Sequence, residues 1–512
     1  MRPFVISPRK SLPNSLEIYF SRFRANIIGV NQAFESPFGR KRLLYADWTA
    51  TGRAYRPIET ALQETILPYF ANTHTETSFM GRKMTAAYEE AKSIIKGHVH
   101  AGADDKLVFC GSGMTAAVNK LQRIMGLRLP QWAAYRIRPD ETERPLVLVT
   151  HMEHHSNHIS WLETMATVEV IAPGEDGNVD LNNLRQLLTQ YANRKLKIAA
   201  ITACSNVTGI ETPYHAIASI LHEHGGYCFV DFAASAPYTD IDMHPEDLQE
   251  NLDAIYFSGH KFLGGPGTPG ILIFNKRLYS QGVPDQPGGG TLLYSNPWGA
   301  RDYVEDIEQR EDGGTPPILQ AIKAGMCIRL KEEMGVVNIR AREAVLVKAL
   351  LEGLSTIPGV DVLAPANKER LGIVSFTPNG MHYDTVVQAL SDRYGIQCRG
   401  GCSCAGTYGH FLLNIDAARS YAILDRLKAG DQAAKPGWVR LSVHPTTTDA
   451  EIAWLIDAVR AVVTSPRLAE ASVAGPRLPE VEKTAESHEI VKRPDDVSCL
   501  SWHPSKPMIL SL

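Results

Sequence analysis

Between about Ala103 and Phe274 the chain repeats one pattern, a short apolar run followed by a stretch of helical period. The runs LVFC from Leu107, LVLVT from Leu146, VEVIA from Val168, KIAAITA from Lys197, YCFVDF from Tyr227, AIYFS from Ala254 and GILIF from Gly270 predict strands, being short, β-branched and bounded by turn residues. Between them, TAAVNKLQRIM from Thr115, LNNLRQLLTQYA from Leu181 and PYHAIASILHEH from Pro213 predict helices. Strands alternating with helices of ~10–15 residues imply βαβ units and a mainly parallel sheet covered on both faces. The fold class is α/β.

The pattern changes beyond the last strand. A Gly/Pro-rich stretch, GVPDQPGGGT from Gly282, and DGGTPP from Asp312 lead into a long helical segment, ILQAIKAGMCIRLKEEMG from Ile318. From about Asn338 to Ala461 the order becomes helix, strand (GIVSF from Gly372), helix, strand (WVRLSV from Trp438), helix, which predicts a smaller α+β domain. The expected division is an N-terminal segment, 1–44, packing on the small domain; a large domain, 45–330; the small domain, 331–465; and a disordered tail, 466–512, rich in Pro, Glu and Ala;. Within that tail, DVSCLSWHPSKPMIL from Asp496 looks like one strand pair of a WD-type repeat. A single repeat cannot build a propeller, so it is read as tail.

Composition narrows the function classes. The 512 residues hold 52 Lys plus Arg against 56 Asp plus Glu, a net charge of −4. Nucleic-acid binders carry a basic excess, so no nucleic-acid partner is expected. No apolar run reaches the ~18–20 residues that span a bilayer, so no membrane role is expected. The opening MRPFVISPRK lacks the apolar stretch of a secretory signal;. A cytoplasmic location follows as the expectation, with mitochondrial import as the alternative. Arg2, Arg9, Lys10, Arg22 and Arg24 face only Glu17 in the first 26 residues, a weak presequence pattern. Reduced thiols then make the cluster Cys398, Cys402 and Cys404 chemistry or metal binding sooner than disulfides;.

The run YFSGHKFLGGPGTPG from Tyr256 places Lys261 at the C-terminal end of an apolar strand, in a loop whose glycines allow close backbone approach;. Open α/β sheets bind ligands at that edge, and a desolvated lysine there can form a Schiff base. Asp231 ends another strand, where an aspartate can face a pyridinium nitrogen;. His154 and Asn206 follow two more strands, and Thr115 opens a helix whose free N–H groups suit a phosphate;. Each has a bland alternative as a cap or turn residue; all of them on one sheet edge is an unlikely accident.

These residues, together with YADWTATGRAYRPIE from Tyr45 and NTHTETSFMGRKMTAAYEEAK from Asn72, resemble the class V aminotransferase-fold enzymes that depend on pyridoxal phosphate, and among them the cysteine desulfurases and selenocysteine lyases. The resemblance runs to about Val463. It implies the type I fold of pyridoxal-phosphate transferases, with a seven-stranded sheet in the large domain. It implies pyridoxal 5'-phosphate as cofactor, Lys261 as its Schiff-base lysine, His154 stacked on its ring, Asp231 at the pyridinium nitrogen, and Asn206 near the phenolic oxygen and the substrate carboxylate. Thr115, Ser258 and His260 would hold the phosphate, and Thr315 would complete the phosphate site of the other subunit in a homodimer with shared active sites. In IQCRGGCSCAG from Ile396, Arg399, Gly400, Cys404 and Ala405 match the desulfurase spacing, with Cys404 as the nucleophile that takes sulfur from L-cysteine as a persulfide. An adjacent arginine favours the thiolate form. Arg440 matches the arginine that grips the substrate carboxylate, a task suited to guanidinium, and a sulfur-acceptor protein is a further expected partner.

Two features depart from that pattern. Three residues after Asp231 the family usually carries glutamine, a donor to the cofactor's phenolic oxygen; here it is Ala234. Asn206, Ser235 or water could substitute. Cys402 and Cys398 are extra thiols, read as packing in preference to a resolving role. Two zinc readings, Cys398/Cys402/Cys404/His410 and His151/His154/His155/His158, fit structural-zinc spacing poorly, so no metal is expected. His98, His100, His222 and His224 read as helix or loop surface. Ala234 keeps open an aminotransferase, epimerase or lyase acting on another amino acid. A catalytically silent scaffold is the third reading, opposed by the intact Lys261, Asp231 and His154 set.

Overall fold

The computed structural model describes residues 13–465 except 74, 135 and 138. The predicted tail, its WD-like segment and residues 1–12 lie outside the described residues.

All seven apolar runs form strands: β1 (Asp105–Cys110), β2 (Leu146–Thr150), β3 (Thr167–Ile171), β4 (Lys197–Thr202), β5 (Tyr227–Asp231), β6 (Ala254–Ser258) and β7 (Gly270–Asn275). They build one seven-stranded sheet in the order β1-β7-β6-β5-β4-β2-β3. Pairs within β2 to β6 are parallel. Only β7 runs against its neighbours, β1 and β6. Alternate side chains enter opposite cores. Leu146 and Leu148 pack with Tyr88, Ile217 and Ile322, whereas Val147 and Val149 pack with Met114, Val118 and Leu121. Burial on both faces is why these strands read as continuous apolar runs.

Around the sheet lie α1 (Pro13–Arg24), α2 (Phe79–His98), α3 (Met114–Ile124), α4 (His155–Leu162), α5 (Leu181–Gln190), α6 (Tyr214–Glu223) and α7 (Ile318–Met334). Helix α7 runs on past residue 330 to Met334, and Gly335, at φ 74°, separates it from α8 (Val336–Ser355). A second core follows. Helices α8, α9 (Tyr383–Tyr394) and α10 (Asp449–Val463) pack with β8 (Val360–Val362), β9 (Ile373–Pro378), β10 (Arg399–Gly401) and β11 (Trp438–Ser442). This sheet is antiparallel, in the order β8-β9-β11-β10. Thr448 and Glu451 form a reciprocal capping box that fixes the start of α10;.

The N-terminal segment reaches both cores. Phe20 and Phe23 of α1 join the large core, while Arg24 donates to the Thr446 carbonyl at 3.0 Å and pairs with Glu451 at 2.6 Å. Leu44–Tyr45 pairs in parallel with Ile396–Gln397, just before the cysteine-bearing loop.

Two histidines expected at the surface are partly buried and hold partners instead. The His98 side chain is 6% exposed, held between Lys331 and Glu332. His222 is 14% exposed and bonds Asp253 and the Gln249 carbonyl. Burial of a polar ring is tolerable once its nitrogens are hydrogen-bonded, and partners so distant in sequence leave no local signal.

Candidate active site

A cavity of about 230 Å³ opens at the C-terminal ends of β1, β2, β4, β5 and β6. From the large lobe its wall includes Thr115, His154, Asn206, Asp231, Ser258, His260 and Lys261; from the small lobe, Arg399, Cys404 and Arg440. Thr315 is the one predicted site residue outside this wall; it is exposed and accepts from Asn72 Nδ2 at 3.1 Å.

Lys261 closes a single turn, Gly259–Lys261, directly after β6. A Cβ at Gly259 would lie 2.5 Å from Thr268 Oγ1, so that turn can form only without a side chain there;. Burial lowers the Lys261 pKa to about 8, against the pull of the Asp231 carboxylate. The amine therefore has an appreciable neutral, nucleophilic fraction near physiological pH. Asp231 is buried at the end of β5. Burial raises its pKa to about 6, opposed by the Ala233 N–H, which it accepts at 2.8 Å, and by Lys261. His154 caps α4, its Nδ1 accepting from Ser156 N at 3.1 Å. Burial and then the Lys261 charge hold its pKa down to about 3, so the ring is neutral and able to stack.

An anion cradle lies beside them. Gly113, at φ 77°, precedes α3 and supplies no side-chain cap of its own, so an anion can approach that helix start beside the Ser258 hydroxyl;. A Cβ there would come within 3.1 Å of Ser258 Oγ. Ser258 Oγ accepts from Met114 N at 2.9 Å, Thr115 Oγ1 meets Ser156 Oγ at 2.7 Å, and His260 Nδ1 meets Thr51 Oγ1 at 3.1 Å.

Arg440 sits on β11, 2% exposed. Its Nη1 donates to the Asn206 carbonyl at 3.0 Å and its Nη2 to Asp47 Oδ1 at 2.7 Å. Asp47 Oδ2 also takes Arg399 Nη2 at 3.0 Å. Asp47 was not singled out from the sequence, although it stands in the YADWT run; its signal is a lone carboxylate in an apolar setting. Arg440 Nε and Asn206 Oδ1 are both buried without a hydrogen-bond partner. Unpaired buried polar atoms are rare in folded proteins, and these two belong to residues that wall the cavity.

Cys404 is exposed and occupies a tight turn with Ser403: their φ values are +56° and +51°. Ala405 N donates back to the Cys402 carbonyl at 2.9 Å. A left-handed conformation costs a residue with a side chain roughly 1–2 kcal/mol, so the surroundings must hold this turn in place. Burial opposes the Arg399 charge, but Asp47 and a Cys404 thiolate raise its pKa, which places Arg399 within electrostatic reach of the thiol.

Ala234 is on the cavity wall, where a methyl can donate nothing. Of the proposed substitutes, Asn206 is on the wall; Ser235 Oγ is buried without a partner and Ser235 is not part of it. The histidines weighed for zinc are engaged elsewhere. His151 Nε2 meets the Gly177 carbonyl, His155 Nε2 accepts from Gly406 N, and His158 Nδ1 meets Thr407 Oγ1. Among the described residues no three His, Cys, Asp or Glu gather as a metal site.

A half-buried lysine at the edge of an α/β sheet, with a buried aspartate, a neutral imidazole and a glycine-led helix start, is the arrangement that pyridoxal phosphate needs. The glycine-lined cradle fits its phosphate end, and Asn206 stands on the same wall. The aminotransferase class-V family pattern matches residues 44–455. The chain belongs to the class V aminotransferase family, whose members depend on pyridoxal phosphate. It is 31% identical over 371 residues to a probable cysteine desulfurase of Halalkalibacterium halodurans, covering 71% of this chain and 84% of that one. A probable cysteine desulfurase of Staphylococcus aureus is 30% identical over 369 residues, again 71% and 84%. The apo structure of a cysteine desulfurase from Thermococcus onnurineus superimposes with a TM-score of 0.70 at 25% identity, covering 87% of this chain and 98% of that one. A cysteine desulfurase from Escherichia coli has the same fold, with a TM-score of 0.66 at 21% identity and coverage of 88% and 98%. Among the described residues no helix is long and apolar enough to cross a membrane.

Proposed function

We propose that the protein is a pyridoxal-phosphate-dependent cysteine desulfurase that converts L-cysteine to L-alanine and leaves the sulfur as a persulfide on Cys404. The observation that carries this reading is the presence of Cys404, on a constrained turn, in the same cavity wall as Lys261, Asp231 and Arg440. The similarity to probable cysteine desulfurases supports it.

Lys261 would hold the cofactor, with Asp231 at its ring nitrogen, His154 over its ring and Asn206 at its phenolic oxygen. Thr115, Ser258 and His260 would hold the phosphate. When bound, the cofactor supplies an electron sink for the substrate's α-carbon. Arg440 offers Nε to the substrate carboxylate, with Arg399 beside it. Lys261 Nζ removes the α-proton, for which a pKa of about 8 is suited;. The Cys404 thiolate then attacks the substrate sulfur. An S–S bond forms, the Cβ–S bond breaks, its electron pair stays on the carbon fragment, and that fragment is protonated to alanine. One cysteine and one Cys404 thiol give one alanine and one persulfide.

The dimer belongs to this reading. Thr315, exposed beyond the cavity, would serve the phosphate site of a second copy, so each site would be shared. A sulfur-acceptor protein would collect the persulfide, and the need for a reduced Cys404 supports a reducing compartment such as the cytoplasm.

Ala234 favours a second reading, a transamination, epimerisation or lyase reaction on another amino acid. One assay separates the two. The cofactor-loaded protein, given L-cysteine and a thiol reductant, should release alanine and sulfide in equal amounts. Cys404→Ser should keep the cofactor spectrum and lose the sulfide. A protein that holds the cofactor yet forms no alanine would overturn the desulfurase reading in favour of the second.

A further inference from the structure

The nucleophile's turn is held by groups from outside its own loop, and two of the contacts come from one residue that the chemistry above does not use. His155 N donates to the Cys404 carbonyl at 2.7 Å. His155 Nε2 accepts from Gly406 N at 2.8 Å. The imidazole therefore grips the chain two residues beyond the thiol, while its own backbone grips the thiol's residue. One turn further along α4, His158 Nδ1 meets Thr407 Oγ1 at 3.0 Å, as expected for side chains three apart on one helix face. Ser403 is fixed from two other sides: Asn206 Nδ2 donates to its carbonyl at 2.8 Å, and Trp438 Nε1 to its Oγ at 3.2 Å.

We propose that His155 is a positioning residue that holds the Ser403–Cys404 turn in its left-handed form, and so aims the Cys404 thiol into the cavity. The inference rests on the desulfurase reading for its catalytic consequence, though the clamp itself is geometric. His155 is not part of the cavity wall, so it acts through Cys404 and not on the substrate. Both Ser403 and Cys404 hold a backbone conformation that side chains disfavour, and such strain persists only where surrounding contacts over-determine it. The fit at Gly406 is equally specific. A Cβ there would lie 2.9 Å from His155 Nε2, so the imidazole can approach only a residue without a side chain.

Accepting from an amide N–H requires Nε2 to be unprotonated, which fixes His155 as the neutral tautomer with its proton on Nδ1. Burial, and then the charge of Lys435, lower its pKa and favour that form. The other titratable groups around it are His154, with a ring centroid 6.4 Å away, His158 on the same helix, and Cys404 across the contact. Protonation at acid pH would put a donor against the Gly406 N–H and release the clamp.

Two variants test this on the cofactor-loaded protein. His155→Ala removes the acceptor; His155→Gln replaces Nε2 with an amide oxygen that has no charge to gain. Amide hydrogen exchange over residues 402–407, read by mass spectrometry, reports the clamp without reference to catalysis. Exchange of the α-proton of L-alanine reports Lys261, the cofactor and carboxylate binding without Cys404. Sulfide release from L-cysteine reports Cys404. The expected result is faster amide exchange in His155→Ala and sulfide release slowed on the order of tenfold to a hundredfold, as a misplaced reacting group produces. Alanine α-proton exchange should be unchanged. His155→Gln should restore both lost properties, and its sulfide release relative to wild type should rise as the pH falls. Unchanged amide exchange in His155→Ala, a Gln variant as impaired as Ala, or parallel loss of α-proton exchange would each overturn the proposal. If wild type releases no sulfide while the amide exchange pattern holds, the clamp stands and the desulfurase reading falls.

Discussion

Asp47 Oδ1 lies 2.7 Å from Arg440 Nη2, so the guanidinium assigned to the substrate already carries a carboxylate. The same side chain takes Arg399 at 3.0 Å. A single residue from the N-terminal part of the large lobe thus separates two cations that would otherwise repel across the cavity mouth. Asp47→Asn keeps an acceptor of the same shape and removes the charge. A charge pair a few ångströms apart is worth up to about 4 kcal/mol near a protein surface. Binding of L-alanine to the cofactor-loaded variant should tighten by on the order of tenfold. It should also become more sensitive to salt. An absorbance titration at two ionic strengths checks both.

Arg440→Lys tests the converse. Lysine offers a point charge without the planar fork that simultaneously reaches the Asn206 carbonyl, Asp47 and a substrate carboxylate. KM for L-cysteine should rise by roughly tenfold to a hundredfold, the range of one or two charge-assisted hydrogen bonds. The turnover number should change far less, and steady-state kinetics of alanine formation separates the two.

In the cofactor-free protein the Lys261 amine should capture pyridoxal phosphate faster as the pH rises through about 8, where burial has placed its pKa. Asp231 opposes that lowering, so Asp231→Asn should move the midpoint further down. The stability sign follows from the same shift. Between about 8 and the ordinary value of 10.5 the unfolded chain binds the proton that the folded one has released. The contribution of Lys261 to stability therefore increases with pH across that window. Comparing denaturant midpoints of wild type and Lys261→Met at pH 7.5 and about pH 10 should show the wild type gaining on the variant.

Glu343 makes the opposite prediction. It is buried on α8, accepts from Gly372 N at 3.1 Å through Oε1, and has no partner for Oε2. Burial raises its pKa to about 8 from 4.5. Here the folded chain keeps a proton that the unfolded chain loses, so stability falls as the pH rises from 4.5 towards 8. Glu343→Gln cannot ionise. It should unfold at a higher temperature than wild type at pH 8, by the equivalent of a few kcal/mol, with the difference vanishing towards pH 5. Calorimetry at the two pH values decides it.

The central strands of the large sheet were legible because every residue of β2, β4 and β6 is buried; the half-buried edge strand β3, which carries Glu169, was legible from its β-branched residues. The strands of the small lobe were only half legible. Val360–Val362 and Arg399–Gly401 are three residues long, the second made of an arginine and two glycines, and neither length nor composition marks a strand. Helix α4 was hidden by its polar start, HSNH, which was weighed as a metal run. At the site, residues at strand ends could be found from the strands. Asp47 and His155 could not, because their importance lies in partners hundreds of positions away, Arg440 and Gly406. Sequence periodicity reports which face of an element is dry. It carries no record of which charge answers which across the fold.

Strand β7 runs against β6, and this has a mechanical consequence for Lys261. The loop that bears the lysine leaves one strand and returns in the adjacent one, with Gly270 opposite Ser258. It is braced from the side as well, by Gly52 N on the His260 carbonyl at 2.9 Å and Gly264 N on the Arg53 carbonyl at 2.7 Å. The amine is mounted like a beam supported at both ends, whereas Asp231 and His154 stand on segments that run from the sheet edge into the surrounding structure. Anchored at both ends, the lysine is held in register with the sheet.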